Sequence, residues 1–231
     1  MTIELAGLLG VEQIVCMSGC PGAPDGGRYP NWVVAGWPPD FLELLEWQWR
    51  ERLIPFWGKT AEFARRHGIR KLCFELHPGM CVYNVSSFRR LRAALGPIAT
   101  VNLDPSHFFF QGMDPLAVIR ELGEEIGYVH AKDARVDPYN LAVQGALDVQ
   151  PGRPLRELVW AYRTLGYGHD MKFWADFVSA LRAVGYDDVL SIEHEDPLMD
   201  AEEAIARAAT LLRHTAFFQP PSVVPGAPPV K

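Results

Sequence analysis

Four short apolar stretches of the chain each run into a side chain able to hold a metal ion or move a proton. KLCFELH carries Glu75 and His77, IATVNLD ends in Asp104, IGYVHAK holds His130 and Lys132, and VLSIEHEDP passes through Glu193, His194, Glu195 and Asp196. Carboxylates and imidazoles are the common proton carriers near neutral pH. Together they make a mixed oxygen and nitrogen donor set that suits one hard or borderline divalent ion, Mn²⁺, Mg²⁺, Co²⁺ or Zn²⁺.

Side chains alternate between the two faces of a strand, so which residues share a face is readable from spacing. Leu72, Phe74 and Leu76 oppose Cys73, Glu75 and His77. Ala99, Val101 and Leu103 oppose Thr100, Asn102 and Asp104; Val129 and Ala131 oppose Tyr128, His130 and Lys132; Leu190 and Ile192 oppose Val189, Ser191 and Glu193. In each case the polar face ends in a ligand type, which makes Glu75, Asp104, His130 and Glu193 the expected metal ligands. The competing reading is that such acids only cap the next helix, a role Asp104 could fill before Pro105.

Other groups fall around the same strand ends. His77 shares the parity of Glu75 and precedes Pro78-Gly79, so it is expected to contact substrate, as is the inward-facing Lys132. His169 stands in GYGHD either as half of a pair with Asp170 or beside an Asp170 that caps the following helix. Trp37, in a stretch rich in Gly and Pro, offers a flat face on which the apolar face of a ligand could stack. His194 has the opposite parity to Glu193, while Glu195 and Asp196 are expected to open a loop, and Asp133 to pair with Arg135.

The elements that must position these residues alternate. EQIVCMSG reads as a strand, and residues 40–68 as a long helix opened at Asp40, bent at Pro55 and closed by Gly68, with Trp47, Trp49 and Trp57 as packing residues. Strands at 70–77 and 98–104 flank a helix with a serine cap. Asp114 caps a helix with Pro115 in its first turn, and the strand 126–133 follows. An irregular stretch, 137–165, hides one short strand at 161–165. A helix from Asp170, the strand 187–193 and a last helix with capping-box spacing at Asp200 and Glu203 complete the series. His67 and His214 stand near helix C-termini as dipole partners. Short apolar strands alternating with amphipathic helices mean an α/β fold with a parallel sheet, closed as a barrel or open.

Composition narrows the class. The 231 residues are enough for a sizeable core, 48 % hydrophobic content is that of an ordinary globule, and a net charge of −6 gives no footprint for nucleic acid. No apolar run approaches the length needed to cross a bilayer. Cys16, Cys20, Cys73 and Cys81 lack CxxC spacing, and MTIELAGLLGV is too polar and too short in its apolar run for a leader, so reduced thiols and a cytoplasmic location are expected. Residues 219–231 are proline-rich and read as an extended end.

FELHPG, NLDPSHFFFQGMDP, VHAKD, GYGHD and GYDDVLSIEHEDP, in this order, resemble the sugar phosphate isomerase/epimerase group of the xylose-isomerase-like TIM barrels. The resemblance runs from about Ile3 to about Phe218 and implies one partial barrel domain over residues 1–218. It also implies a metal held by Glu75, Asp104, His130 and Glu193, with His107 on substrate oxygens and Glu75 and Glu193 as the acid/base pair. The implied reaction is isomerisation or epimerisation of a small sugar or polyol through a metal-stabilised enediolate. A lyase of the inosose dehydratase kind, or one eliminating from a 3-oxo-glycoside, starts with the same proton abstraction. An endonuclease-like phosphodiester hydrolase or a non-catalytic barrel fits the sequence less well. Only about six of eight strands are countable, and the first two strand-helix units are missing from the pattern. The chain is then a fragment, or a sheet whose open edges a second copy covers.

Overall fold

A computed structural model describes residues 1–148 and 152–220. The proline-rich end expected over 219–231 lies, from residue 221 on, outside the described residues. The fold groups into two compact units, Met1–Leu103 with Glu125–Tyr128, and Asp104–Glu124 with Val129–Lys231.

In the first unit α1 (Thr2–Leu8) precedes β1 (Gln13–Cys16), followed by α2 (Asp40–Trp47), a π-helical stretch (Gln48–Leu53) and α3 (Ile54–Arg66). β2 (Lys71–Glu75), α4 (Val85–Leu95) and β3 (Ala99–Leu103) come next. β1 runs parallel to β2, with Val15 opposite Cys73, and β2 parallel to β3, with Glu75 opposite Asn102. β4 (Ile126–Ala131) starts in this unit. There Gly127 comes so close to Thr100 and Cys73 that any Cβ would overlap the Thr100 side chain.

The bend expected at Pro55 is a change of helical register rather than a simple kink. Proline has no N–H to donate, and its ring crowds the carbonyl four residues back, here that of Glu51, so the turn before it widens into π geometry. Trp49 and Trp57 are buried as packing residues, whereas Trp47 is half-buried under the Arg52 guanidinium, 5.3 Å from its ring centre. Gln48 is buried too, its amide donating to the carbonyls of Pro21 and Asn31 at 2.7 Å each. α3 ends as expected, with Gly68 at φ 80° in the left-handed conformation that glycine adopts without strain. The cap of α4 is Asn84 and not a serine: its side chain accepts from the Ser87 N–H at 2.9 Å, and the Ser87 hydroxyl accepts in turn from the Asn84 N–H at 3.1 Å. A serine three residues into the helix thus completes the box instead of starting it.

The second unit holds α5 (Ser106–Phe109), α6 (Pro115–Leu122) and the end of β4, then β5 (Asp133–Val136), α7 (Pro138–Gln144) and β6 (Trp160–Arg163). α8 (Met171–Ala183), β7 (Leu190–Ile192) and α9 (Ala201–Thr215) follow. β4 pairs with β7 in parallel, His130 opposite Ser191. The hydrogen-bonded strand order is β1-β2-β3-β4-β7. Asp114, Asp170 and Asp200 cap α6, α8 and α9 as read from the sequence. Glu203 turns away from the expected capping box to Arg207, at 2.7 Å. The ring nitrogens Nδ1 of His67 and His214 lie 2.9 and 2.7 Å from the carbonyls of Phe63 and Thr210, completing the last turns of α3 and α9.

Two expectations for the stretch 137–165 need correction. Asp137 and Pro138 start a helix, α7, by the same device that Asp114 and Pro115 use for α6: the carboxylate accepts from the Asn140 N–H at 2.9 Å. The short strand expected as a sixth member of the parallel set is β6, which instead pairs antiparallel with β5 in a separate two-stranded sheet, Asp133 opposite Arg163. Its far end is drawn there because the Asp133 carboxylate binds the N–H groups of Gly166, Gly168 and His169. Among the described residues, no helix is long and apolar enough to cross a membrane.

Candidate active site

In the first unit Glu75 closes β2 and is 4 % exposed, although it carries a carboxylate. Asn102, opposite on β3, donates its side-chain amide to Glu75 Oε2 at 3.0 Å, which answers part of the cost of burying that charge. Their shared orientation follows from the parity of two parallel strands in register. His77, two residues on, offers a ring nitrogen within 4.8 Å of a Glu75 oxygen. Its Nδ1 lies 2.5 Å from the Pro78 carbonyl. Trp37 is 81 % exposed.

The second unit brings together Asp104, His107, His130, Lys132 and Glu193. Asp104 follows β3 directly and is buried; its Oδ1 accepts from the N–H of Ser106, the first residue of α5, at 2.9 Å. His107 is fully buried, with Nε2 3.3 Å from Asp104 Oδ2 and Nδ1 3.3 Å from the Tyr162 hydroxyl. Tyr162 and Asp104 thus face the two ring nitrogens of His107.

His130 and Asp104 each offer a ligand atom within 4.8 Å of the other. His130 Nδ1 lies 2.9 Å from Glu193 Oε2. Lys132, whose side chain is 3 % exposed, places Nζ 3.4 Å from Glu193 Oε1, 2.8 Å from Glu195 Oε1 and 4.1 Å from the Tyr162 ring centre. Burial works against its charge, but Asp104, Glu195 and Glu193 together outweigh it and raise its pKa. A buried ammonium without such partners would be costly. Glu195, read from the sequence as a loop residue, is therefore a working partner of Lys132.

His169 and Asp170 are not a pair. Asp170 caps α8, accepting from the Phe173 N–H at 2.9 Å. His169 Nδ1 instead donates to Asp133 Oδ1 at 2.8 Å, and its ring stacks on Phe109 at 3.8 Å between centres. Asp133, fully buried, does not meet Arg135: it also accepts from Ala134 N–H and, weakly, from Trp174 Nε1, in addition to the three N–H groups named above. A glycine-spaced GYGH turn is the signal that could have revealed it, since such turns turn successive N–H groups toward one acceptor.

Asp196 is a second such anchor. It accepts from Thr164 N–H and hydroxyl at 2.8 and 3.0 Å, from Leu198 N–H at 2.9 Å and from Arg163 Nε at 3.2 Å. Burial opposes its charge, but the Thr164 and Leu198 N–H groups, the Thr164 hydroxyl and Arg163 outweigh it and hold the carboxyl below the usual aspartate range. A carboxyl depressed in the folded state stabilises the fold fully above its unfolded value of about 3.9, and loses that contribution as pH falls through the folded value. Asp196→Asn is expected to flatten the acid limb of stability against pH below about pH 4. Urea midpoints between pH 3 and 7 would measure this, and an unchanged slope would exclude the carboxylate as its source.

The description "Xylose isomerase-like TIM barrel" matches residues 1–215. The chain belongs to this family. The chain is 39 % identical over 217 residues to Uncharacterized protein YfiH of Bacillus subtilis (strain 168), covering 93 % of the chain and 69 % of that protein. It is 28 % identical over 106 residues to an Inosose dehydratase of Geobacillus kaustophilus (strain HTA426), 46 % of the chain and 34 % of the dehydratase. Among solved structures it resembles the xylose isomerase domain protein from Planctomyces limnophilus, with TM-score 0.62 and 19 % identity over 93 % of the chain and 63 % of that protein. It also resembles the IOLI protein with a bound zinc atom, with TM-score 0.56 and 20 % identity over 93 % and 66 %. A third likeness is to D-allulose 3-epimerase from Methylomonas sp., with TM-score 0.59 and 15 % identity over 92 % and 66 %. The chain therefore spans about two thirds of the length of these structures, and among the described residues a five-stranded sheet carries its TIM-barrel fold.

Proposed function

We propose that the chain carries the site of a divalent-metal-dependent enzyme that removes a proton beside the carbonyl of a small keto-sugar or polyol-derived ketone. The observation that carries the reading is Asp104 and His130 at the carboxyl ends of β3 and β4, each offering a ligand atom within 4.8 Å of the other, with Glu193 proposed as the third ligand. His130 Nδ1 and Glu193 Oε2 are 2.9 Å apart. Two ligand atoms each about 2.1 Å from one ion, at right angles, stand about 3 Å apart, so the His130–Glu193 pair fits such an ion in chemistry and in spacing. Glu75 is proposed as the fourth ligand. The zinc atom of the IOLI structure supports a metal of this class without choosing among Mn²⁺, Mg²⁺, Co²⁺ and Zn²⁺.

When bound, the ion supplies positive charge to a substrate oxygen on which negative charge develops. Glu193 is the proposed base that takes the proton from carbon, and Lys132, 3.4 Å from its other oxygen, steadies its position. Glu75 is the proposed partner that returns a proton. His107 and Lys132 are proposed to meet substrate oxygens, with His77, His169 and Trp37 as further contacts. Proton return to carbon gives an isomerase or epimerase, in line with the epimerase likeness. Loss of a β-hydroxyl instead gives a dehydratase, a reading favoured by the segment shared with Inosose dehydratase.

The purified chain, supplied in turn with each of the four ions, is to be incubated in D₂O with a panel of 3-keto-sugars and inososes and followed by NMR. Exchange of the α-proton with epimer formation supports the first outcome, and loss of water the second. No exchange with any ion would overturn both.

A further inference from the structure

The loop after β1 and the loop after β2 are laced together. The Cys81 N–H donates to the Gly19 carbonyl at 3.0 Å, and the Val82 N–H donates to the hydroxyl of buried Ser18, also at 3.0 Å. These bonds set the backbone of Cys20 beside that of Cys81 and bring the two thiols within reach of each other, while the Cys20 Sγ also lies 4.0 Å from the Pro21 carbonyl. Neither cysteine is in a disulfide. Cys81 is 5 % exposed, whereas Cys20 is half-buried and lines an open cleft of about 650 Å³ with Arg52, Phe56 and Lys59.

The two sulfurs differ in character. The Cys81 thiol, against an opposing effect of burial and aided by the backbone at Asn31, lowers the Cys20 pKa to about 7. The neighbouring Cys20 sulfur, together with burial, pushes Cys81 up. Cys16 is pushed up by burial, and Cys73 is fully buried. One accessible thiolate beside one protonated thiol is the arrangement in which the first sulfur attacks and the second resolves.

We propose that Cys20 and Cys81 form a thiol pair that hydrogen peroxide oxidises reversibly to a disulfide. The Cys20 thiolate attacks one peroxide oxygen, the O–O bond breaks, and the departing hydroxide takes a proton and leaves as water. Cys20 is now a sulfenic acid. Cys81 gives up its proton, its sulfur displaces the sulfenic hydroxyl, and a second water leaves as the S–S bond forms. Two thiols and one peroxide thus become one disulfide and two waters, and a thiol reductant reverses the change. The bridge would join the loops that follow β1 and β2, close in sequence to Glu75.

The test uses the full chain, reduced, then exposed to hydrogen peroxide at pH 7. Free thiols are expected to fall from four to two, with Cys20 and Cys81 linked in the peptide map and recovered by dithiothreitol. In Cys81→Ser the Cys20 sulfenic acid is expected to persist and be trapped by dimedone; in Cys20→Ser peroxide consumption is expected to fall at least about tenfold. A measurement on the unaltered chain stands apart from any folding defect: iodoacetamide labelling of Cys20 is expected to be half-maximal near pH 7, with Cys16 and Cys73 unlabelled. A midpoint near the ordinary thiol value of about 8.5, or a disulfide formed through Cys16 or Cys73 at the same rate, would overturn the proposal.

Discussion

Glu193→Gln is expected to lower metal-dependent turnover by about a thousandfold while leaving the fold intact. Gln keeps the shape of the side chain but cannot take a proton from carbon. It also removes the negative charge 2.9 Å from His130 and 3.4 Å from Lys132. Lys132 retains Glu195 at 2.8 Å, so its burial stays tolerable and the cluster should not collapse. The side chain of Glu193 is 35 % exposed, which limits the structural cost of the change. Metal content by elemental analysis and α-proton exchange by NMR would be read side by side on the variant and the parent chain. Equal exchange rates would remove Glu193 from the chemistry. Loss of exchange with metal content preserved would separate its role as a base from its role as a ligand.

Asp133→Ala is expected to destabilise the protein by about 3–5 kcal/mol. The carboxylate is fully buried and is the acceptor for the N–H groups of Ala134, Gly166, Gly168 and His169 and for His169 Nδ1. Alanine leaves those donors facing a void that offers no replacement acceptor. Asp133→Asn preserves volume but turns one acceptor into a donor among donors, so it should recover only part of the loss. Urea unfolding should show midpoints lower by roughly 1–2 M for the alanine variant. A change below about 1 kcal/mol would mean that water or a shifted loop supplies the missing bonds.

The positions of Glu75, Asp104 and Glu193 at strand ends were readable because parity and strand termination are local properties. Glu75 is the last residue of β2, and Asp104 and Glu193 each follow a strand by one residue. His130 stands one residue inside the end of β4, which runs on to Ala131. What joins side chains to the cluster from loops was not readable. Glu195 on Lys132, Tyr162 on His107 and Asp196 on Thr164 are each set by the path of a loop, which hydrophobic spacing does not encode. The antiparallel β5–β6 pair escaped for the same reason: a four-residue strand with Trp160 and Tyr162 shows its length and composition, but not which edge it joins. Helix starts were more legible than helix interiors. An Asp before the first turn is a local signal, whereas the π register at Gln48–Leu53 depends on how a turn yields to Pro55.

The segment from Arg163 to His169 is held at both ends by buried carboxylates from distant parts of the chain, Asp196 near its start and Asp133 at its close. Tyr162 enters this segment directly and carries the hydroxyl that faces His107 and the ring that covers Lys132. A stretch pinned in this way serves as a fixed wall and not as a gate. On the proposed function, a substrate would then pass by other loops, and the aim of Tyr162 is set before any ligand arrives.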